Sequence, residues 1–271
     1  MQIPTGTVEL VPDPDDPDGV TVLVNGVPSS YLDLADARVL AFEYMQQMAA
    51  FVERLRPGSP LDVVHLGAAG CAFARALDAH RPGSRQLAIE LDPTLATLVR
   101  DWFGLPRSPA LRIRAGDARE QLAALQAGSA DVVVRDVFAG DRTPAHVTTR
   151  EMAEEVARVL RPGGLYLVNC ADRPPLTLAR SEAATLSAVF DDVAIVAEPA
   201  LLRGRGHGNV VLAASDDPDL LAGDALARDM RSLPAPARLL HADELRTLVG
   251  TAPVLRDPER EHPEHADRAT P

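Results

Sequence analysis

From Leu61 onward, short uninterrupted apolar runs alternate with longer stretches in which apolar residues recur every three or four positions. A short apolar run closed by Gly, Pro or an acid reads as a strand buried on both faces. This predicts strands over Leu61 to Leu66, Gln86 to Glu90, Leu111 to Ala115, Asp131 to Asp136 and Leu165 to Cys170. The helical spacing predicts helices over Cys71 to His80, Pro93 to Phe103, Asp117 to Gln126, Thr149 to Leu160 and Leu176 to Phe190. Strands and helices in alternation build a parallel sheet covered by helices on both faces. Two more apolar runs, Val193 to Ala197 and Val210 to Ala214, flank the Gly-rich stretch Arg203-Gly204-Arg205-Gly206-His207-Gly208 and are expected to form an antiparallel hairpin at one sheet edge.

Upstream the pattern changes. Thr7 to Val11 and Val20 to Val24 are β-type runs separated by an acidic turn rich in Asp, Pro and Gly, and Asn25-Gly26 supplies a second turn before Val27 to Leu32. Residues 1–35 are therefore expected to form a small β-hairpin appendage. From Asp36 the spacing becomes helical, with Val39, Leu40, Tyr44, Met48, Phe51, Val52 and Leu55 on one face, until Arg56-Pro57-Gly58 ends it. One or two weaker helices follow Asp219, and the Pro-rich, charged residues 253–271 are expected to be a disordered tail. The catalytic unit is thus expected over 36–252. Seven strands ending in a hairpin place the chain in the α/β class, as a Rossmann-like sheet of the methyltransferase type rather than the six-stranded dinucleotide type.

Composition narrows the partners. The 271 residues carry 27 basic and 39 acidic side chains, a formal net charge of −12, which disfavours a nucleic-acid surface. All 27 basic residues are arginine, a bias we ascribe to base composition of the genome. No run approaches the roughly 18 apolar residues of a membrane span, and the first residues lack the pattern of a secretory leader, so a cytoplasmic protein is expected. Cys71 and Cys170 are too few for a disulfide framework and are expected to fill small buried spaces. No metal site is expected, because the pair His262 and His265 lies in the charged tail.

The candidate chemistry sits at the strand ends, where ligands of such sheets bind. Val63-Val64-His65-Leu66-Gly67-Ala68-Ala69-Gly70 is an apolar run closed by a small-residue turn, and Glu90 ends the next strand. Small residues let backbone approach a nucleoside, and an acid about 20 residues further on accepts from the ribose hydroxyls. Asp117 suits the adenine edge, caps the helix that follows, or does both. Asp136, beyond Val132-Val133-Val134-Arg135, stands where an acceptor would approach; it either takes the proton of an attacking amine or braces the loop 137–147. Arg135 either points away from it or pairs with it and depresses its basicity.

Taken together, Val24-Asn25-Gly26-Val27, Phe42-Glu43-Tyr44, Ile89-Glu90-Leu91-Asp92, Gly116-Asp117-Ala118, the Asp136 loop and Leu160-Arg161-Pro162-Gly163-Gly164 span residues 6–215. In these the chain resembles the spermidine synthase, or polyamine aminopropyltransferase, family in its spermidine-synthase-like bacterial branch. The resemblance implies decarboxylated S-adenosylmethionine as co-substrate, with no tightly bound cofactor, an amine or polyamine acceptor, and a homodimer. It implies a nucleoside set of Gly67, Ala68, Gly70, Glu90, Leu91, Asp117 and Ala118, Asp136 as proton acceptor, and an acceptor pocket including Tyr44, Gln46 and Asp141. The acceptor side departs from the family pattern. Gly70 stands where the family's turn carries an acid, Tyr44-Met45-Gln46 replaces Tyr-His-Glu, Ser29 replaces a Gln, and Ala139 replaces a second acid, with Asp141 nearby as its substitute. Each charged contact to a polyamine contributes roughly 1.5 to 3 kcal/mol, so a pocket with fewer acids is expected to hold putrescine and spermidine weakly. Three readings follow: aminopropyl transfer, methyl transfer from S-adenosylmethionine, and nucleoside binding without catalysis.

Overall fold

The computed structural model describes residues 1–140 and 142–258. Asp141 and residues 259–271, with His262 and His265, lie outside the described residues. The first 33 residues form a four-stranded antiparallel sheet, β1 (Gln2–Ile3), β2 (Gly6–Pro12), β3 (Gly19–Val24) and β4 (Val27–Asp33), in that order. Helix α1 (Glu43–Arg54) follows. The helical pattern from Asp36 does not become helix before Phe42, because the side chains of Asp33 and Asp36 capture the backbone N–H groups of Ala35, Asp36 and Arg38 in local turns.

The main sheet then alternates with helices: β5 (Asp62–Leu66), α2 (Ala72–His80), β6 (Arg85–Glu90), α3 (Pro93–Phe103), β7 (Leu111–Ala115), α4 (Ala118–Ala123), β8 (Ala130–Arg135), α5 (Arg150–Val159), β9 (Leu160–Asp172) and α6 (Thr177–Leu186). Strand β9 begins earlier than expected, since Leu160 to Gly164 continue the strand instead of forming a separate turn. The chain closes with β10 (Asp192–Ala197), the short α7 (Pro199–Leu202), β11 (Gly208–Ser215), α8 (Asp224–Ser232), β12 (Arg238–His241) and α9 (Ala242–Val249). The order across the sheet is β12-β10-β11-β9-β8-β5-β6-β7. From β9 to β7 neighbours are parallel, and β11, β10 and β12 are joined antiparallel.

The α/β class, the helices on both faces and the β appendage agree with the sequence expectation. The strand count does not: β12 is an eighth strand and covers the edge that the β10–β11 hairpin was expected to leave open. Arg238-Leu239-Leu240-His241 is too short, and too close to Pro234 and Pro236, to read as a strand, yet it shields the unpaired edge of β10. Alternation along β8 shows how the core divides. Val132 and Val134 face the cluster containing Met48 and Phe51 of α1, and Val133 faces the cluster of α5 and α6. Val8, Val22 and Leu32 of the appendage join the first cluster, so the appendage packs continuously with the main core. Residues 253–258, the first part of the expected tail, are held on the body: Leu255 N–H donates to Thr185 Oγ1 and its carbonyl accepts from Arg150 N–H.

Candidate active site

The strand order reverses at β5, since the chain builds outward through β6 and β7 and then returns to lay β8 on the other side. Such a reversal leaves a crevice at the carboxyl ends of the two strands. Here a cleft of about 940 Å³ opens, bounded by the ends of β5, β6, β8 and β9, the start of α1 and strand β4. Gly67 sits where the strand ends touch. Its φ is +83°, and a Cβ there would lie 2.1 Å from the carbonyl oxygen of Asp136, so only glycine fits.

On one side of the crevice, Glu90 closes β6 and accepts the N–H groups of the facing turn. Its Oε2 takes Ala68 and Ala69 at 3.2 and 2.9 Å, and its Oε1 takes Asp92 N–H at 3.1 Å. The turn itself thereby fixes the carboxylate that a diol would engage. Leu91, 61% exposed, presents an apolar side chain to the cleft beside it, as the face of a flat ring would require. Asp117 caps the helix that follows, one of the two roles the sequence left open to it, and also lines the cleft. Its Oδ1 accepts from Arg119 and Glu120 N–H at 2.9 and 3.1 Å, capping α4, while its Oδ2 pairs with His146 Nε2 at 3.0 Å. Burial raises the pKa of Asp117, but these N–H donors and His146 outweigh it and hold the group below the usual carboxylate range. Ala118 also lines the cleft.

Gly70, expected in the nucleoside set, is absent from the cleft lining. Its N–H donates to Ser30 Oγ at 2.9 Å, and a Cβ would lie 2.8 Å from Ser30 Cβ and 2.9 Å from Leu32 Cδ1. It is the seat of strand β4.

Across the crevice, Asp136 is held by two neutral donors. Tyr44 Oη donates to Oδ2 at 2.8 Å and Asn169 Nδ2 to Oδ1 at 2.9 Å. Burial raises the Asp136 pKa above the usual value, and the two hydrogen bonds only partly offset it. Burial, reinforced by this neighbouring charge, lifts the Tyr44 phenol well above its ordinary value, so it stays a donor. The alternatives for Arg135 are resolved: its side chain lies buried on the far face in an ion pair with Glu182. Asn169 was not anticipated. The signal was present, however, as a lone amide near the end of an apolar strand run, and because Arg135 lies opposite Val168 in the parallel register, Asn169 falls opposite Asp136.

The rest of that side comes from distant segments. Glu43 Oε1 accepts from Asn209 Nδ2 of β11 at 2.7 Å. Asp172 also lines the cleft, yet both of its oxygens accept backbone N–H groups, from Arg173 at 2.7 Å and Ala179 at 2.9 Å. Gln46 does not line the cleft; its amide turns back to Leu40 carbonyl at 2.7 Å. Asp141 lies outside the described residues. His146 carried no sequence signal, being a single histidine in a long loop.

Residues 64–168 match the family model described as a methyltransferase domain. Over 93% of both chains the protein is 36% identical to a probable spermidine synthase from Corynebacterium glutamicum, with a TM-score of 0.85. The chain belongs to the spermidine synthase family. A polyamine aminopropyltransferase from Chromobacterium violaceum is 28% identical over 201 residues, 73% of each protein. A human eEF1A lysine and N-terminal methyltransferase is 28% identical over 171 residues, which are 57% of this chain and 24% of that protein. As a spermidine synthase family member the chain is a transferase, and its methyltransferase-like fold is consistent with an adenosyl-based co-substrate. Among the described residues no helix is long and apolar enough to cross a membrane.

Proposed function

We propose that the protein transfers the aminopropyl group of decarboxylated S-adenosylmethionine to an amine, with Asp136 as proton acceptor. One observation carries the reading: the Asp136 carboxylate faces the crevice, is held by neutral donors only, and has a raised pKa. A carboxylate paired to arginine would be a poor base, whereas one fixed by Tyr44 and Asn169 stays oriented and basic. Asn169 adds a second acceptor, because its Oδ1 is buried without a hydrogen-bond partner among the described residues. An ammonium donating to Asp136 and Asn169 is oriented as it gives its proton to the carboxylate.

The nitrogen lone pair then attacks the aminopropyl carbon beside the sulfonium. A C–N bond forms, the C–S bond breaks, and its electron pair neutralises the sulfur, leaving methylthioadenosine. Glu90 would hold the ribose hydroxyls, Leu91 and Ala118 the faces of the base, and Asp117 its amino edge, with Gly67 and Ala68 forming the backbone floor. A cytoplasmic homodimer is part of the same reading.

The likeness to the human methyltransferase supports methyl transfer as the second reading. Incubation with each donor and a mixed amine pool, followed by mass spectrometry, separates the two. Aminopropylated amine together with methylthioadenosine is expected, and methylated product alone, or binding of both donors without turnover, overturns the proposal.

A further inference from the structure

Asp117 and His146 both line the cleft, and Oδ2 of Asp117 is already bonded to the His146 ring. A carboxylate only accepts, so Nε2 carries the proton in this pair. His146 belongs to the 3₁₀ turn Ala145–Val147 and lines the cleft near Ala118. Its imidazole is nearly half exposed, so something must fix the ring. That anchor comes from the end of the described chain. The carbonyl of His146 accepts from Arg119 Nη1 at 2.9 Å, and the Arg119 fork grips both oxygens of Asp257 at 2.7 and 2.5 Å. Asp257 is itself fixed, its N–H donating to Glu151 Oε2 at 2.9 Å, with Leu255 bonded to Arg150 and Thr185 just before it. Hydrogen bonds therefore link residues 255–257 through Arg119 to the backbone of His146, whose ring in turn meets Oδ2 of Asp117.

We infer that His146 helps select the nucleobase by aiming Asp117, and that Asp257, acting through Arg119, is the positioning residue that holds His146 in place. The inference rests on reading this side of the cleft as the site of an S-adenosyl-type nucleoside. With one lone pair of Oδ2 taken by the imidazole, the other is directed at the ligand edge. A 6-amino group satisfies it as a donor. A 6-keto group sets acceptor against acceptor and leaves that lone pair facing another, a mismatch by which polar sites discriminate. A bare loop tie would give neither direction nor discrimination.

The test is calorimetric binding of methylthioadenosine and of its 6-keto counterpart, methylthioinosine, to the full chain and to His146→Ala, Asp257→Ala, Asp257→Glu and Arg119→Lys, with thermal unfolding recorded for each. Wild type is expected to prefer the amino nucleoside. His146→Ala and Asp257→Ala are each expected to weaken methylthioadenosine about tenfold, the worth of one well-placed hydrogen bond, while methylthioinosine changes little and the preference narrows. Asp257→Glu should restore most of it, whereas Arg119→Lys, which keeps the charge but loses the fork, should behave like Asp257→Ala and covers the case in which that variant does not fold. Once a substrate is in hand, KM for the donor should rise with kcat nearly unchanged. Equal weakening of both nucleosides, or an unchanged preference in folded variants, overturns the inference while leaving the donor site intact. Failure of wild type to bind methylthioadenosine at all overturns the donor reading itself and the inference with it.

Discussion

The two sides of the cleft are assembled differently. On the side of Glu90 and Asp117 the groups sit at a strand's last residue or within three residues of it, and Glu90 meets the facing turn at Ala69, 21 residues away. On the acceptor side the partners are distant, with 92 residues between Tyr44 and Asp136 and 166 between Glu43 and Asn209. Strand ends and turns are fixed by the sheet itself, so the donor side cannot change without disturbing the fold. Side chains projecting from α1, β9 and β11 can be exchanged one at a time, and the departures from the family pattern at Met45 and Gln46 lie on one of those elements, α1. A new acceptor specificity is therefore cheaper to reach than a new donor.

The largest separation of effects is expected from Asp136. Asp136→Asn keeps the shape of the side chain and removes the base, so turnover should fall roughly 10²- to 10⁴-fold while methylthioadenosine binds nearly as before. Single-turnover rates beside calorimetry decide it, and a full rate near neutral pH would reduce Asp136 to a loop brace. The converse variant, Glu90→Ala, should weaken methylthioadenosine by roughly 2 to 4 kcal/mol through loss of two charge-assisted hydrogen bonds, with acceptor binding unaffected. Unchanged affinity in a folded variant would mean that Glu90 serves only the turn that Ala68 and Ala69 form.

A smaller effect tests the sign of the Asp136 titration. Because burial raises this pKa, turnover should climb with pH through a midpoint above the usual carboxylate range. Tyr44→Phe removes a hydrogen bond that favours the ionised form, so the climb should move to higher pH and cost up to about tenfold below the new midpoint. The same group costs stability: the folded state holds the proton more tightly than the unfolded chain, so unfolding free energy falls as pH rises from the ordinary carboxylate value to the raised one. Denaturant titrations across that window should show a shallower decline in Asp136→Asn than in wild type, the remainder coming from Glu182, whose burial raises its pKa as well.

The smallest signal is expected from putrescine, which should bind weakly and with modest salt dependence, because Asp172 is occupied by backbone N–H groups and Glu43 is shared with Asn209. Micromolar affinity that collapses with added salt would show that Glu43 and Asp136 suffice for a diamine.

What could be read from the chain follows how local each signal is, on both sides of the cleft. The parallel strands, the turn after β5 and the placing of Glu90, Asp117 and Asp136 along one cleft were legible because hydrophobic period and strand ends are local signals. Gly70 was misread because its neighbours Ser30 and Leu32 belong to a different sheet, and nothing in a turn sequence says which surface its glycine faces. Gln46 was assigned by motif position, but its amide has a closer partner in the Leu40 carbonyl. His146 and Asn169 act through contacts made only after folding. Strand β12 is held by its pairing with β10 rather than by its own pattern.

The seat at Gly70 also limits what can be substituted there. Once Ser30 and Leu32 have closed over that glycine, a carboxylate at position 70 has no room, so a single Gly70→Asp change would unseat the appendage before it could furnish a polyamine contact. An acid there demands a second, compensating replacement at Ser30 or Leu32 of β4. The turn after β5 and the appendage are therefore interlocked, and neither can be redesigned at this point without the other.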